Sequence, residues 1–166
     1  LSFAYFRIKA DVTTPILGVT LFCSGMMDAF HTLAADRLIE AVADNRNLIP
    51  FTWAICRLAN ALLTIIGISI FMLGKSKKIN GSFGFVALIS FGFGLLSYTV
   101  INVCATSGKL PQTQFSESLV TRPWDVLPLI LFIVSGFFIY PAFYKKYPSL
   151  FSHALIISVI PNIATQ

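Results

Sequence analysis

The sequence predicts an all-α fold, a polytopic transmembrane helical bundle, and three observations carry that prediction. Of the 166 residues, 56% are hydrophobic and only 11% are charged, against about 25% charged in an ordinary soluble domain. The apolar residues gather into runs of roughly 17–25 separated by short polar stretches, the length that crosses about 30 Å of hydrocarbon as helix. Backbone N–H and C=O groups find no water partners in lipid, so such runs must close their hydrogen bonds internally. Residues 1–166 read as a single transmembrane domain with at least five spans.

Leu1 to Phe6 is apolar and gives way at once to Arg7 and Lys9, so it reads as the last turns of an upstream helix. The first complete span is predicted over 14–34. Pro15 suits its start, because the N–H that proline lacks has no helical partner there. Asp28 and His31 inside this run argue against a cleaved leader. A polar loop follows to Ile49, with a short helix expected around Arg37–Ala43. Pro50 opens the second span, 50–74, and an Asn80-Gly81 turn leads into the third, 83–105. After a long loop the fourth span covers 126–144. The fifth covers 148–166 and is still apolar at Gln166, with no stop signal. The chain therefore reads as a piece cut at both ends.

Charge orients these spans. One set of alternate connections holds seven basic residues (Arg7, Lys9, Lys75, Lys77, Lys78, Lys145, Lys146) against the single acid Asp11. The other holds four basic residues (Arg37, Arg46, Lys109, Arg122) against five acids (Asp36, Glu40, Asp44, Glu117, Asp125). The positive-inside rule places the first set in the cytoplasm. The net charge of +5 is then accounted for by topology, and no nucleic-acid partner is expected. Asn80-Gly81-Ser82 matches a glycosylation sequon but falls on the cytoplasmic side. Cys23, Cys56 and Cys104 lack metal-ligand spacing and read as small buried hydrophobes.

Ionisable groups inside spans are costly and are functional candidates by default. Asp28 and His31 are three residues apart and share a helix face. Trp53, Arg57 and Asn60 are spaced by four and three, again on one face. By the helix rise, Asp28 and Arg57 each lie roughly 6–7 Å outward of their spans' centres, so the two can meet at one depth as an ion pair, with His31 and Trp53 just above. Tyr98 and Asn102, in the outer half of the third span, would complete a polar wall. Two readings stay open. The pair locks two helices together, or the group lines a ligand or cofactor pocket centred on His31. Gly67, Gly92 and Gly94 are read as sites of close helix packing.

Histidine on a bundle helix is a common haem ligand, so His31 as an axial ligand of haem b is the alternative reading, that of a b-type cytochrome or redox subunit. His153 is a poor second ligand, lying roughly 20 Å away in depth by the helix rise. Phosphate-binding glycine loops, paired-histidine zinc motifs and nucleophile elbows are absent from the sequence, and no enzyme activity is expected of this chain.

Ser24-Gly25-Met26-Met27-Asp28-Ala29-Phe30-His31-Thr32-Leu33, Trp53-Ala54-Ile55-Cys56-Arg57 and the segment from Ile157 to Gln166 resemble the membrane-associated sensor (MASE-type) domains, most closely the third type. The likeness covers the first, second and fifth spans, while the residues after Leu33 depart from the family pattern. The resemblance implies an input domain embedded in a bacterial cytoplasmic membrane and a sensing role for Asp28, His31, Trp53 and Arg57; a homodimer is also expected. It also implies a cytoplasmic output module in the same full-length chain, either a histidine kinase or an enzyme making or breaking cyclic di-GMP.

Overall fold

Every predicted apolar run folds as helix. In the computed structural model, residues 2–9, 12–73 and 82–166 are described. The elements are α1 (Ser2–Lys9), α2 (Thr13–Ala35), α3 (Asn45–Leu73) and α4 (Phe83–Thr106). A 3-10 turn (Pro123–Asp125) then leads into α5 (Val126–Val134), which continues through a π-helical turn (Ser135–Ile139) into α6 (Tyr140–Lys146), and α7 (Leu150–Ala164) follows. Among the described residues there is no strand, and the fold is an all-α bundle. Among the described residues, four stretches are long and apolar enough to cross a membrane: Thr13–Ala35, Asn45–Met72, Phe83–Thr106 and Pro123–Lys146. The expected fifth span is α7, a shorter apolar helix of 15 residues, about 22 Å at 1.5 Å per residue.

Three local expectations are corrected. The first helix does not end at Phe6 but runs on to Lys9. α3 starts at Asn45 and carries Pro50 inside it. Its first bonds run from the Asn47 and Leu48 amides to the Asp44 carbonyl, at 3.1 and 2.9 Å; the proline, six residues into the helix, then removes only one ladder bond near its start. The short helix expected around Arg37–Ala43 does not form. Arg37 adopts φ 57°, which ends α2 in the left-handed region, and the Leu38 and Ile39 amides bond back to the Leu33 carbonyl. The Val42 amide then donates to the Ala105 carbonyl at 3.1 Å, tying this loop to the end of α4. Asp11, Lys75, Lys77, Lys78 and the Asn80-Gly81 turn lie outside the described residues.

α2 packs most extensively on α3 and also covers α4, while α7 packs on α5 and α6. Ile16, Leu17, Met27, Leu63, Ile68, Val86, Phe132 and Phe143 are fully buried between them. Phe22, Phe91, Phe137 and Phe138 point outward, 68–70% exposed, which costs little where the surrounding solvent is hydrocarbon. All three cysteines are free and buried, as expected. Of the glycines, Gly67 does mark a close approach: a Cβ there would meet Thr20 Oγ1 at 2.9 Å. Gly92 and Gly94 do not, since both face open space. Gly136, in the π-turn, is also a tight point, lying directly under the methyls of Val159. At the basic end, Lys146 Nζ donates to the Phe71 and Met72 carbonyls at 3.3 and 3.1 Å, satisfying carbonyls that the end of α3 leaves open.

Candidate functional site: an intramembrane polar cluster

The cluster is held by helix spacing and by hydrogen bonds between helices, from Arg57 of α3 to Asn162 and Thr165 and between His31 of α2 and Thr52 of α3. Arg57 is 6% exposed although it sits mid-helix in α3. Its Nη1 donates to Asn162 Oδ1 at 2.8 Å, and its Nη2 donates to Thr165 Oγ1. Thr165 in turn donates to the Pro161 carbonyl at 2.8 Å, and Asn162 Nδ2 donates to the Ser158 carbonyl at 2.8 Å, so both acceptors are themselves fixed on α7. The guanidinium lies 4.7 Å from the centre of the Trp53 ring and 5.8 Å from that of Phe132. A buried cation is thus held by two neutral oxygens and two aromatic faces.

That arrangement corrects the expected Asp28–Arg57 ion pair. Among the described residues the ion pair is Arg122–Asp125, with Nε to Oδ2 at 2.9 Å, at the start of the 3-10 turn. The Arg57 fork is already occupied by α7, and Asp28 keeps a carboxylate with no hydrogen-bond or ion-pair partner among the described residues. Trp53 and Arg57 do meet, as their four-residue spacing implies.

His31 sits beside this group. Its Nδ1 is 2.8 Å from Thr52 Oγ1, and its ring centre is 5.3 Å from that of Trp53. The Thr52 hydroxyl donates to the Leu48 carbonyl at 2.7 Å. Having one proton, it then accepts from His31 Nδ1–H, which leaves Nε2 as the lone-pair nitrogen. A lone Nε2 suits a metal ligand, yet no group of three His, Cys, Asp or Glu residues gathers among the described residues. His153, the other histidine, stacks near Tyr144 at 5.7 Å at the opposite end of the bundle. A haem on His31 has no second axial side chain among the described histidines.

Tyr98 and Asn102 do not complete the wall. Both are exposed on α4, whose buried face carries Ser97 and Cys104 instead. Ser97 and Cys104 lie on the face that packs against α2 and α3, and the helix turn puts Tyr98 and Asn102 on the outer face.

Between α2 and α7 lies a cavity of about 200 Å³, lined by Leu21, Ser24, Gly25 and Asp28 of α2, Asn60 and Thr64 of α3, Tyr140 of α6, and Leu155, Ser158 and Asn162 of α7. Sequence reasoning found Asp28 and Asn60 here and missed the rest. A signal was present: Ser158, Asn162 and Thr165 recur at four and three residues on α7, a polar stripe in an otherwise apolar helix. Thr64 and Ser158 donate internally, to the Asn60 carbonyl at 2.9 Å and the Leu155 carbonyl at 2.7 Å. Ser24 is 4% exposed, and its hydroxyl has no partner. The Asn60 amide N–H groups and the Asp28 carboxylate likewise have none among the described residues. The cavity therefore offers donors and one anionic acceptor that the protein itself does not satisfy.

None of the family models, curated proteins or solved structures compared with this chain matches it.

Proposed function

We propose that this membrane protein is the sensory input domain of a bacterial signal-transduction protein, a histidine kinase or a cyclic di-GMP enzyme, embedded in the cytoplasmic membrane. The supporting observation is the Arg57 cross-link. It joins α3 to α7 through Asn162 and Thr165, beside a cavity whose Asp28 carboxylate is unpaired. A ligand settling at that cavity changes the surroundings of Asn162, which lines it and also holds Arg57. If the ligand binds two α3–α7 arrangements unequally, it shifts their populations. α7 then carries the movement toward an output module of the same full-length chain. The likeness of the Asp28-x-x-His31 and Trp53-x-x-x-Arg57 segments to sensor domains supports the same reading.

The test is output activity of the full-length protein in membranes, read as autophosphorylation or as cyclic di-GMP turnover. Arg57→Ala and Asn162→Ala are expected to lock output at one level while the protein still inserts and folds. If Arg57→Ala and His31→Ala both left the response unchanged, the sensory reading would fall.

A further inference from the structure

We infer that the cavity between α2 and α7 binds the uncharged, hydroxyl-bearing head of an amphiphile that enters from the bilayer. The mouth supports entry from the side. α2 packs on α3 and α4 while α7 packs on α5 and α6, so a slot separates α2 from α7. Leu21, at its rim, is 43% exposed within the hydrocarbon stretch of α2.

The head group follows from what the cavity leaves unsatisfied. Ser24, 96% buried by its 4% exposure, presents a hydroxyl without a partner, and leaving such a group unpaired in a low-dielectric site is costly. Asn60 presents free amide donors and Asp28 a free carboxylate acceptor. A hydroxyl complements both kinds of group, because it donates to the carboxylate and accepts from Ser24 or Asn60. Charge favours a neutral head. Asp28 lines the cavity and Arg57, outside its lining, acts on it electrostatically, so with both groups charged an ammonium or a carboxylate head would add one uncompensated charge in a medium that penalises it heavily. Size agrees as well. The volume of about 200 Å³ exceeds the roughly 150 Å³ that takes up a benzene ring in an apolar cavity, which is room for a glycerol-sized or ring-sized head.

This inference rests on the sensory reading only for its consequence, since binding is measured without any output module. The probe is a diazirine-bearing monooleoylglycerol, photo-crosslinked to the full-length protein in nanodiscs. Labelling is expected to saturate, to map to α2 and α7, and to be displaced by unlabelled monooleoylglycerol. Ser24→Ala and Asn60→Leu are each expected to weaken it about tenfold, the loss of one net hydrogen bond. Leu21→Trp, which fills the mouth without touching a polar partner, should abolish it, and Tyr98→Phe should not change it. Thermal unfolding of each variant separates lost binding from lost fold. Equal displacement by methyl oleate would reduce the site to an acyl-chain groove, and stronger displacement by oleylamine would make it a cation site. Either result, or wild-type labelling of Ser24→Ala, overturns the inference. Intact labelling with a dead output response would instead leave the site standing and remove the sensory reading.

Discussion

Arg57 shows how a charged side chain is kept inside a hydrocarbon-embedded bundle without a carboxylate. Asn162 of α7 and Thr165 at its C-cap each accept one bond from the terminal nitrogens, the Trp53 and Phe132 rings lie against the group, and the buried Nε–H is left without a partner. The arrangement needs a flat, forked cation, which lysine does not supply. Arg57→Lys is therefore expected to lose one of the two bonds to α7 and to destabilise the fold by about 1–2 kcal/mol. Arg57→Ala is expected to cost about 2–3 kcal/mol, since it also leaves Asn162 Oδ1 without its donor. Unfolding in detergent, followed by tryptophan fluorescence, reads both, and equal stability of the lysine variant would show that the fork geometry is irrelevant. His31 behaves differently. Its partner Thr52 keeps the bond to the Leu48 carbonyl when the imidazole is removed, so His31→Ala should cost about 1 kcal/mol or less. Any larger loss of output than of stability then belongs to function.

At the level of helices, Gly67 and Gly136 permit close approach in unlike settings. Gly67 lets α3 settle on Thr20 of α2, and Gly136 lets the π-turn settle on Val159 of α7. The π-turn widens the helix for one turn, and the next residue, Tyr140, is 3% exposed and lines the cavity. Gly67→Ala and Gly136→Ala are each expected to destabilise by about 1–3 kcal/mol through overpacking, with the Gly136 change also pushing α7 away from the cluster. Gly92→Ala and Gly94→Ala, which face open space, should be neutral or slightly stabilising, because alanine is the better helix former. A ranking in which all four behaved alike would mean that the approach points are not where the backbone places them. α7 starts with a capping box between Ser149 and Ser152, so its register against α3 is set at the basic end and read out at Arg57.

For the whole molecule, the first question is which end faces which compartment. The loops 36–44 and 107–122, which together hold four acids (Asp36, Glu40, Asp44, Glu117) against three basic residues (Arg37, Lys109, Arg122), lie at one end of the bundle, where Val42 bonds to Ala105, and Lys145 and Lys146 lie at the other. The charge asymmetry predicts the basic end inside. In intact cells, a cysteine at Ser116→Cys should react with a membrane-impermeant maleimide, and one at Lys145→Cys should react only after permeabilisation. The three native cysteines are buried, which keeps background labelling low. The reverse pattern would invert the topology and place the basic end outside.

Fold class was legible in the residues because hydrocarbon leaves a spanning backbone so few choices. Long apolar runs must be helices, and α2, α4 and the Pro123–Lys146 rod differ from the expected spans by only a few residues at either end. Spacing along one helix was legible too, as the stacking of Arg57 on Trp53 shows. Which helix would answer Arg57 was not. A sequence shows two opposite charges at one depth, but rotation about each helix axis decides whether they face each other, and that rotation is set by packing. The contacts of α3 with α5 and of α7 with α5 and α6 turn Arg57 toward Asn162 and Thr165, leave Asp28 facing an open cavity, and turn Tyr98 and Asn102 outward. The sequence by itself determined that costly polar groups sit within the spans. Only the tertiary structure decided which of them are satisfied by the protein and which are left for something else to satisfy.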